Sequence, residues 1–353
     1  MSNRLTRSRV TSFDVAALAG VSQSAVSRAF TPGSSIADDT REKVIKAARK
    51  LNYVPNSIAS SLTTKRTNIV ALILGNLANP FYVQALHEFS IRLQERGRQV
   101  LIFALDPGAE SDDAIMRALR YQIDGIILTS AQISTRMTTI CHERGIPIVL
   151  FNRYIPGTDA SGVRCDNVAG GRLIAEAFLA AGAKSFLMIT GDPRGTTSKD
   201  RARGFVERLM EEGIKSSQIE EIAGGSTYDG AMRAVRSLFG ATRKRRLDAL
   251  FGVNDIMAMG AMDTLRFEYG LRIPDDLMVA GFDDIPDAAR PSYNLTTVRQ
   301  PIDRMVKETL SILHLEDPHR PIERGIDRPI QGELIWRGTI PQPTRLPKGR
   351  RGT

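Results

Sequence analysis

Gln23, Ser24, Ser27 and Arg28 gather, within six residues, side chains that can read nucleic-acid bases. A glutamine amide pairs bidentately with adenine and an arginine guanidinium with guanine, each giving about 1–3 kcal/mol of discrimination. Thr11, Ser22 and Ser27 carry hydroxyls that, with helix N-terminal amides, suit phosphate oxygens and set register without reading sequence. Catalytic spacings are missing by contrast. No G-x-x-x-x-G-K-[ST] loop occurs, and Gly182-Ala183-Lys184-Ser185 imitates only its end. His87-Glu88 has Ile91 where a second zinc-binding histidine would stand. No G-x-S-x-G elbow is found, and four histidines and two cysteines show no metal-ligand spacing. No enzyme activity, metal or cofactor is expected.

The base-reading side chains act together only if a short helix presents them. Thr11-Ser12-Phe13-Asp14 fits a capping box, with Asp14 reaching back to the N-cap Thr11. The helix it starts carries Val15, Ala16 and Ala19 before Gly20 stops it. Ser22 caps a second helix, Gln23 to about Phe30, which Pro32-Gly33 ends. A third, about Asp39 to Leu51, sets Val44, Ile45, Ala48 and Leu51 on one face. Two short helices joined at a glycine and packed on a third predict a helix-turn-helix. Ala16 is small enough for the helices to cross, Gly20 reverses the chain, and Val26 fills the space between. In that motif the start of the second helix enters the major groove.

The charge distribution agrees. Of a formal net charge of +9 over 353 residues, residues 1–66 hold eleven Lys/Arg against four Asp/Glu. Residues 67–340 hold 33 against 35, and residues 341–353 four against none. A basic head on a near-neutral body points to a polyanion partner at the head. The N-terminal segment has no apolar h-region of a signal peptide. No run reaches the roughly 18 apolar residues of a membrane helix. Cys141 and Cys165 form no framework and read as core thiols. A cytoplasmic protein with no membrane partner is expected.

From Ile69 onward, short apolar runs (69–74, 100–105, 125–130, 146–152, then 185–190, 247–253, 277–282) alternate with helical patterns near 80–97, 168–181, 200–213, 228–239 and 255–270. Continuous apolar strands between amphipathic helices imply parallel sheets covered on both faces. The two sets predict two similar α/β lobes. Such sheets bind ligands in the crevice at the carboxyl ends of their strands.

TSFDVAALAGVSQSAVSRAF, then TREKVIKAARKLNYVPNSIASSLTTKRTNIVALIL, resembles the N-terminal signature of the LacI/GalR (lactose-repressor) family of bacterial transcription regulators. The resemblance continues in order through NPFY (79–82), DGIILTS (124–130), DRARGF (200–205), GVNDIMAMGAM (252–262), GFDD (281–284), LTTVRQP (295–301) and GELIWRGT (332–339). It implies an all-α helix-turn-helix head on an α/β, two-lobed body like that of periplasmic binding proteins, with parallel sheets. The domains expected are residues 1–54 for the head, 55–66 for a hinge, 67–340 for the effector-binding and dimerisation body, and 341–353 for a basic flexible tail. The head would contact DNA through Thr11, Ser22, Gln23, Ser24, Ser27, Arg28, Asn56, Leu62 and Thr63. Eight residues from Pro55 are too few for a stable isolated helix, so the hinge is expected to fold only on DNA, beside a second copy. The resemblance implies that Leu62 wedges into the minor groove. Thr63 stands where many members carry a basic residue, which weakens that contact.

For the body, the resemblance implies effector contacts by Asn79, Phe81, Tyr82, Asn152, Arg153, Arg201, Phe251, Asn254 and Asp283. Arg153, Arg194, Lys199 and Arg201 fall in loops near the expected cleft and favour an anionic effector. The partners expected are therefore a double-stranded DNA operator with an inverted repeat, a sugar, sugar acid or phosphosugar, and a second copy of the chain. The tail lacks a leucine heptad, so a dimer and no tetramer is expected. The reading is a repressor whose operator affinity responds to a small molecule held between the lobes. A transport-type solute-binding protein would leave the head unexplained and would need an export signal. A DNA-binding enzyme or architectural protein would need a catalytic constellation or the lack of a cleft.

Overall fold

Helix caps and a small apolar core build the head. In a computed structural model describing residues 10–31, 33–55, 66–106, 109–129, 132–241, 247–315 and 323–342, it comprises α1 (Ser12–Ala19), α2 (Gln23–Phe30) and α3 (Asp38–Lys50). The Asp14 carboxylate accepts from the Thr11 backbone N–H at 2.7 Å and from its hydroxyl at 2.8 Å. Ser22 Oγ accepts from the Ala25 N–H at 3.2 Å. Gly20, at φ +65°, takes the left-handed turn that lets the Val21 N–H reach the Ala16 carbonyl. Val15, Val26 and Val44 are buried together between the three helices.

The chain divides into two compact units, residues 1–67 and 68–353. Within the second, β1 (Ile69–Leu74), β2 (Gln99–Ala104), β3 (Gly125–Thr129), β4 (Ile148–Phe151), β5 (Ser161–Cys165) and, from far along the chain, β11 (Asp327–Ile330) form one sheet. Its order is β11-β5-β4-β3-β1-β2, and all its pairings are parallel. The helices α4 (Pro80–Glu95), α5 (Asp112–Leu119), α6 (Thr135–Glu143) and α11 (Ile302–Leu313) accompany it. Val70, Leu72 and Leu74 pack with Phe81 and Phe89 on one face, while Ala71 and Ile73 pack with Ile115 and Met137 on the other. Burial on both faces is why β1 reads as an unbroken apolar run.

A second parallel sheet, order β7-β6-β8-β9, joins β6 (Phe186–Thr190), β7 (Ile219–Ala223), β8 (Ala249–Gly252) and β9 (Met278–Ala280). It carries α7 (Asn167–Ala180), α8 (Thr196–Glu211), α9 (Tyr228–Ala241) and α10 (Asp255–Phe267). A short antiparallel pair, β10 (Thr297–Arg299) with β12 (Glu333–Ile335), sits where the chain passes between the sheets. The strands not anticipated from apolar runs are the internal β5, the short pair β10 and β12, and β7 and β11, each at one edge of its sheet. At these edges Ile-Glu-Glu-Ile-Ala is half-exposed and Asp-Arg-Pro-Ile is exposed except for Ile330, and neither needs an apolar run. No helix among the described residues is long and apolar enough to cross a membrane.

Candidate functional site

Both parallel sheets reverse their strand order, the first between β1 and β3 and the second between β6 and β8. Loops leaving such neighbours diverge and open a crevice at the carboxyl ends of the strands. A cavity of about 370 Å³ lies at that place in this protein. The first lobe lines it with Gly75, Asn76, Asn79 and Tyr82 after β1, Gln132 after β3, and Asn152 and Arg153 after β4. The second lobe contributes Asp192, Arg194, Thr197, Ser198 and Arg201 after β6, Ser226 and Thr227 after β7, Asn254 after β8, and Asp283 after β9.

Asp283 is the electrostatic centre. Its Oδ2 accepts from Asn79 Nδ2 across the cleft at 3.1 Å, and its Oδ1 accepts from Gln300 Nε2 at 2.7 Å. Arg201 Nη2 lies 3.0 Å from Oδ1, with both side chains almost fully buried. That contact is an ion pair without the angle of a hydrogen bond. Arg201 is fixed elsewhere, donating from Nε to Asn167 Oδ1 at 2.9 Å and from Nη1 to the Val253 carbonyl at 2.7 Å, with its guanidinium 3.7 Å from the centroid of the Phe282 ring. Asp283 holds φ +131°, a conformation that costs a non-glycine residue about 1–3 kcal/mol and persists only when its surroundings over-determine it. Burial pushes the Asp283 carboxyl above the usual carboxylate range. Next to it, burial and the nearby Asp283 charge push the buried Asp255 up to about 7.

Close backbone approach sets where Arg201 stands. A Cβ on Gly171 of α7 would lie 2.2 Å from the Arg201 carbonyl oxygen, and one on Gly204 of α8 would lie 2.0 Å from that of Val168. Only glycine at these positions lets α7 and α8 touch and brings Asn167 within reach of the guanidinium. Around the mouth, Thr197 Oγ1 donates to the Asn152 carbonyl at 2.8 Å, and Gln132 Nε2 to the Arg194 carbonyl at 3.3 Å. Hydrogen bonds thus bridge the lobes on several sides of the cavity. Asn152 sits at φ +60° at the end of β4, and its buried Oδ1 has no hydrogen-bond partner among the described residues. Arg153 is buried beside it, and burial draws its pKa down.

Of the residues singled out in the body, Asn79, Tyr82, Asn152, Arg153, Arg201, Asn254 and Asp283 converge on the cavity. Phe81 and Phe251 do not. Phe81 stacks on Phe151 at 6.2 Å in the first lobe's core, and Phe251 packs on Phe205 at 4.9 Å in the second. Adjacent residues on a helix point about 100° apart, so only one of Phe81 and Tyr82 faces the cleft, and the phenol does. Lys199 is exposed and away from the cavity wall, whereas Arg194 lines it. Sequence reasoning missed Asn76, Gln132, Asp192, Thr197, Ser226 and Thr227. Their one legible signal is position, directly after strand ends, and β7 was itself not legible. Among the described residues no His/Cys/Asp/Glu group could hold a metal ion.

In the head, Ser22, Gln23, Ser24, Ser27 and Arg28 are all exposed along one side of α2, while Ala25, Val26 and Ala29 are buried on the other. Thr11 is exposed at the start of α1. Thr11 and Ser22 are held by their capping bonds and Ser24 Oγ lies 2.9 Å from Ser22 Oγ, while Gln23 Nε2 makes a longer 3.3 Å bond to Ser12 Oγ. Asn56, Leu62 and Thr63 lie outside the described residues.

A helix-turn-helix head followed by a two-lobed α/β body with an interlobe cavity defines a ligand-responsive DNA-binding regulator. Residues 13–56 match the bacterial regulatory proteins of the lacI family, and residues 175–340 match a periplasmic binding protein-like domain. The chain is 32% identical to the HTH-type transcriptional regulator CelR of Thermobifida fusca, over 87% of this chain and 92% of that protein. It is also 32% identical to the regulator DegA of Bacillus subtilis, over 85% and 89%. Among solved structures, the lac repressor dimer bound to operator and an anti-inducer shares the fold, with TM-score 0.83 at 24% identity over 94% of this chain and 99% of that one. A CelR–cellobiose complex matches with TM-score 0.68 at 28% identity, over 94% and 100%. The chain belongs to the lacI family of bacterial regulatory proteins and is a DNA-binding transcriptional regulator with an effector-binding body.

Proposed function

We propose that this regulator is a homodimeric repressor without enzymatic activity that works in the cytoplasm and releases or engages an inverted-repeat operator in response to a polyhydroxylated small molecule. The head (residues 1–54) reads the operator through Gln23, Ser24, Ser27 and Arg28, with Thr11 and Ser22 on phosphates. Residues 55–66, with Asn56, Leu62 and Thr63, form the hinge, and the body (67–340) holds the effector through the seven converging residues named above. Two heads related by two-fold symmetry match two half-sites of an inverted repeat.

The observation that carries this reading is the Asn79–Asp283 hydrogen bond, which joins the lobes across the cavity. A ligand entering there meets both lobes at once and competes for the contacts that hold them. Differential contact with two lobe arrangements is what lets a ligand shift an equilibrium. The hydroxyl-rich wall suits a sugar, in keeping with the CelR relative solved with cellobiose. The test is a thermal-shift screen of sugars, sugar acids, sugar phosphates and nucleobases. Any ligand found is then titrated into a gel shift on an operator selected from random duplexes. A change in operator affinity below about twofold would refute effector control.

A further inference from the structure

We propose that the effector carries an anionic group, a carboxylate or a phosphate on a polyhydroxylated frame, received at the end of the cavity formed by Arg153, Arg194 and the N-terminus of α8. This deepens, and rests on, the reading of the cavity as the effector site.

The charge of the wall is one argument. Three arginines, Arg153, Arg194 and Arg201, line the cavity against two aspartates, Asp192 and Asp283. The state of the acceptors is another. A neutral polyol is held largely by donating its hydroxyls to side-chain acceptors, and here both aspartates and the Asn79 and Asn254 amide oxygens already accept from protein donors. Asp283 accepts from Asn79 and Gln300 and pairs with Arg201. Asp192 accepts from the backbone N–H of Arg194 at 2.9 Å and from its guanidinium at 3.1 Å. Asn79 Oδ1 caps the Phe81 N–H, and Asn254 Oδ1 caps that of Met257.

What the Arg153 end offers instead is donors. The first turn of the 16-residue α8 has no side-chain cap, because its N-cap is Gly195. The hydroxyls of Thr196 and Thr197 are turned away to the carbonyls of Tyr154 and Asn152. The first amides of a helix have no intrahelical acceptor and carry the positive end of its dipole, which favours anions. Arg153 is buried beside this turn, close enough to Asp192 and Arg194 to feel both charges. Asn152 Oδ1, buried and without a partner among the described residues, is an acceptor for a hydroxyl next to the anionic group. The aromatic residues that would stack on a neutral ring are lodged in the core, and Tyr82 alone of them lines the cavity.

Inorganic phosphate is a probe that does not depend on the carbon frame. At constant ionic strength it should raise the melting temperature of the full chain above the chloride value. That increment should vanish in Arg153→Gln and in the rim variant Arg194→Gln but survive in Arg153→Lys. General stabilisation by a kosmotropic salt would persist in all four proteins, and that outcome overturns the proposal. Calorimetry with matched sets of aldoses, aldonates and aldose phosphates then separates the readings. The acid or the phosphate should bind roughly 10- to 100-fold more tightly than its neutral parent, and which of the two wins identifies the group. A neutral sugar that binds as tightly as its acid and its phosphate overturns the anionic assignment and leaves the effector site standing. No binding by any member of a panel of pentose and hexose sets overturns both.

Discussion

Replacing Arg201 with methionine tests the electrostatics of the cavity floor. The substitution keeps most of the apolar stem and removes the charge facing Asp283, 3.0 Å away and 2% exposed. Removing one partner of a buried ion pair costs about 3–5 kcal/mol, because the other charge stays buried. The Val253 carbonyl and Asn167 Oδ1 lose their donors as well, which places the expected loss in the upper part of that range. The carboxylate relieves part of the penalty by taking up a proton, which makes the loss depend on pH. Burial already raises the Asp283 pKa, and Arg201 is the chief influence lowering it, so the variant raises it further. The folded variant then holds a proton that the unfolded chain releases above about pH 4. Stability therefore falls as pH rises toward the folded pKa, by up to about 1.4 kcal/mol per unit. The gap to the native protein should widen from pH 5 to pH 8. At roughly 2–4 °C per kcal/mol, a loss of 3–5 kcal/mol lowers the melting temperature by roughly 6–20 °C. Adding Asp283→Asn removes the buried charge and should restore more than half of the loss while flattening its pH dependence. Thermal and urea unfolding followed by circular dichroism across that pH range measures all of this. A gap below about 1 kcal/mol, or one that is the same at pH 5 and pH 8 and unrelieved by Asp283→Asn, would refute the reasoning.

Three further outcomes are expected. Phe81→Ala should cost about 3–5 kcal/mol of stability as a core truncation with effector affinity retained, whereas Tyr82→Leu should lower effector affinity with little loss of stability; calorimetry beside thermal melts checks the pair, and the reverse pattern would show that the two rings had been misassigned. Gly171→Ala should cost about 1–3 kcal/mol by overpacking, since its Cβ meets the Arg201 carbonyl at 2.2 Å, and should weaken effector binding by moving α8; unchanged melting and binding would count against the close approach. Arg28→Ala should lower affinity for the selected operator by roughly 10- to 100-fold and leave binding to random duplex intact. A gel-shift titration with unchanged operator affinity would remove Arg28 from the reading face.

The sequence by itself determined the parts of this protein whose code is local. The head was legible because caps, a glycine turn and one buried valine per helix act within a few residues of one another. The polar side of α2 follows from helical periodicity once its start at Gln23 is known. Strands β1, β3, β4, β6 and β8 were legible because burial on two faces gives them unbroken apolar runs, whereas the edge strands β7 and β11 are free of that demand and the internal β5, Ser-Gly-Val-Arg-Cys, is buried without an apolar run. Tertiary structure decided what the cavity can do. Asn79 and Asp283 are 204 positions apart, and only the strand order of two sheets brings them together. The same packing turned Tyr82 toward the cleft and Phe81 into the core, a choice that residue type does not encode. It also gave Asp283, Asn79 and Asn254 protein donors, so effector contacts implied by the resemblance already hold protein partners in the fold. Whether a hydrogen-bonding group meets a ligand with open lone pairs or must exchange a protein partner for it depends on its neighbours, and the neighbours are a property of the folded chain.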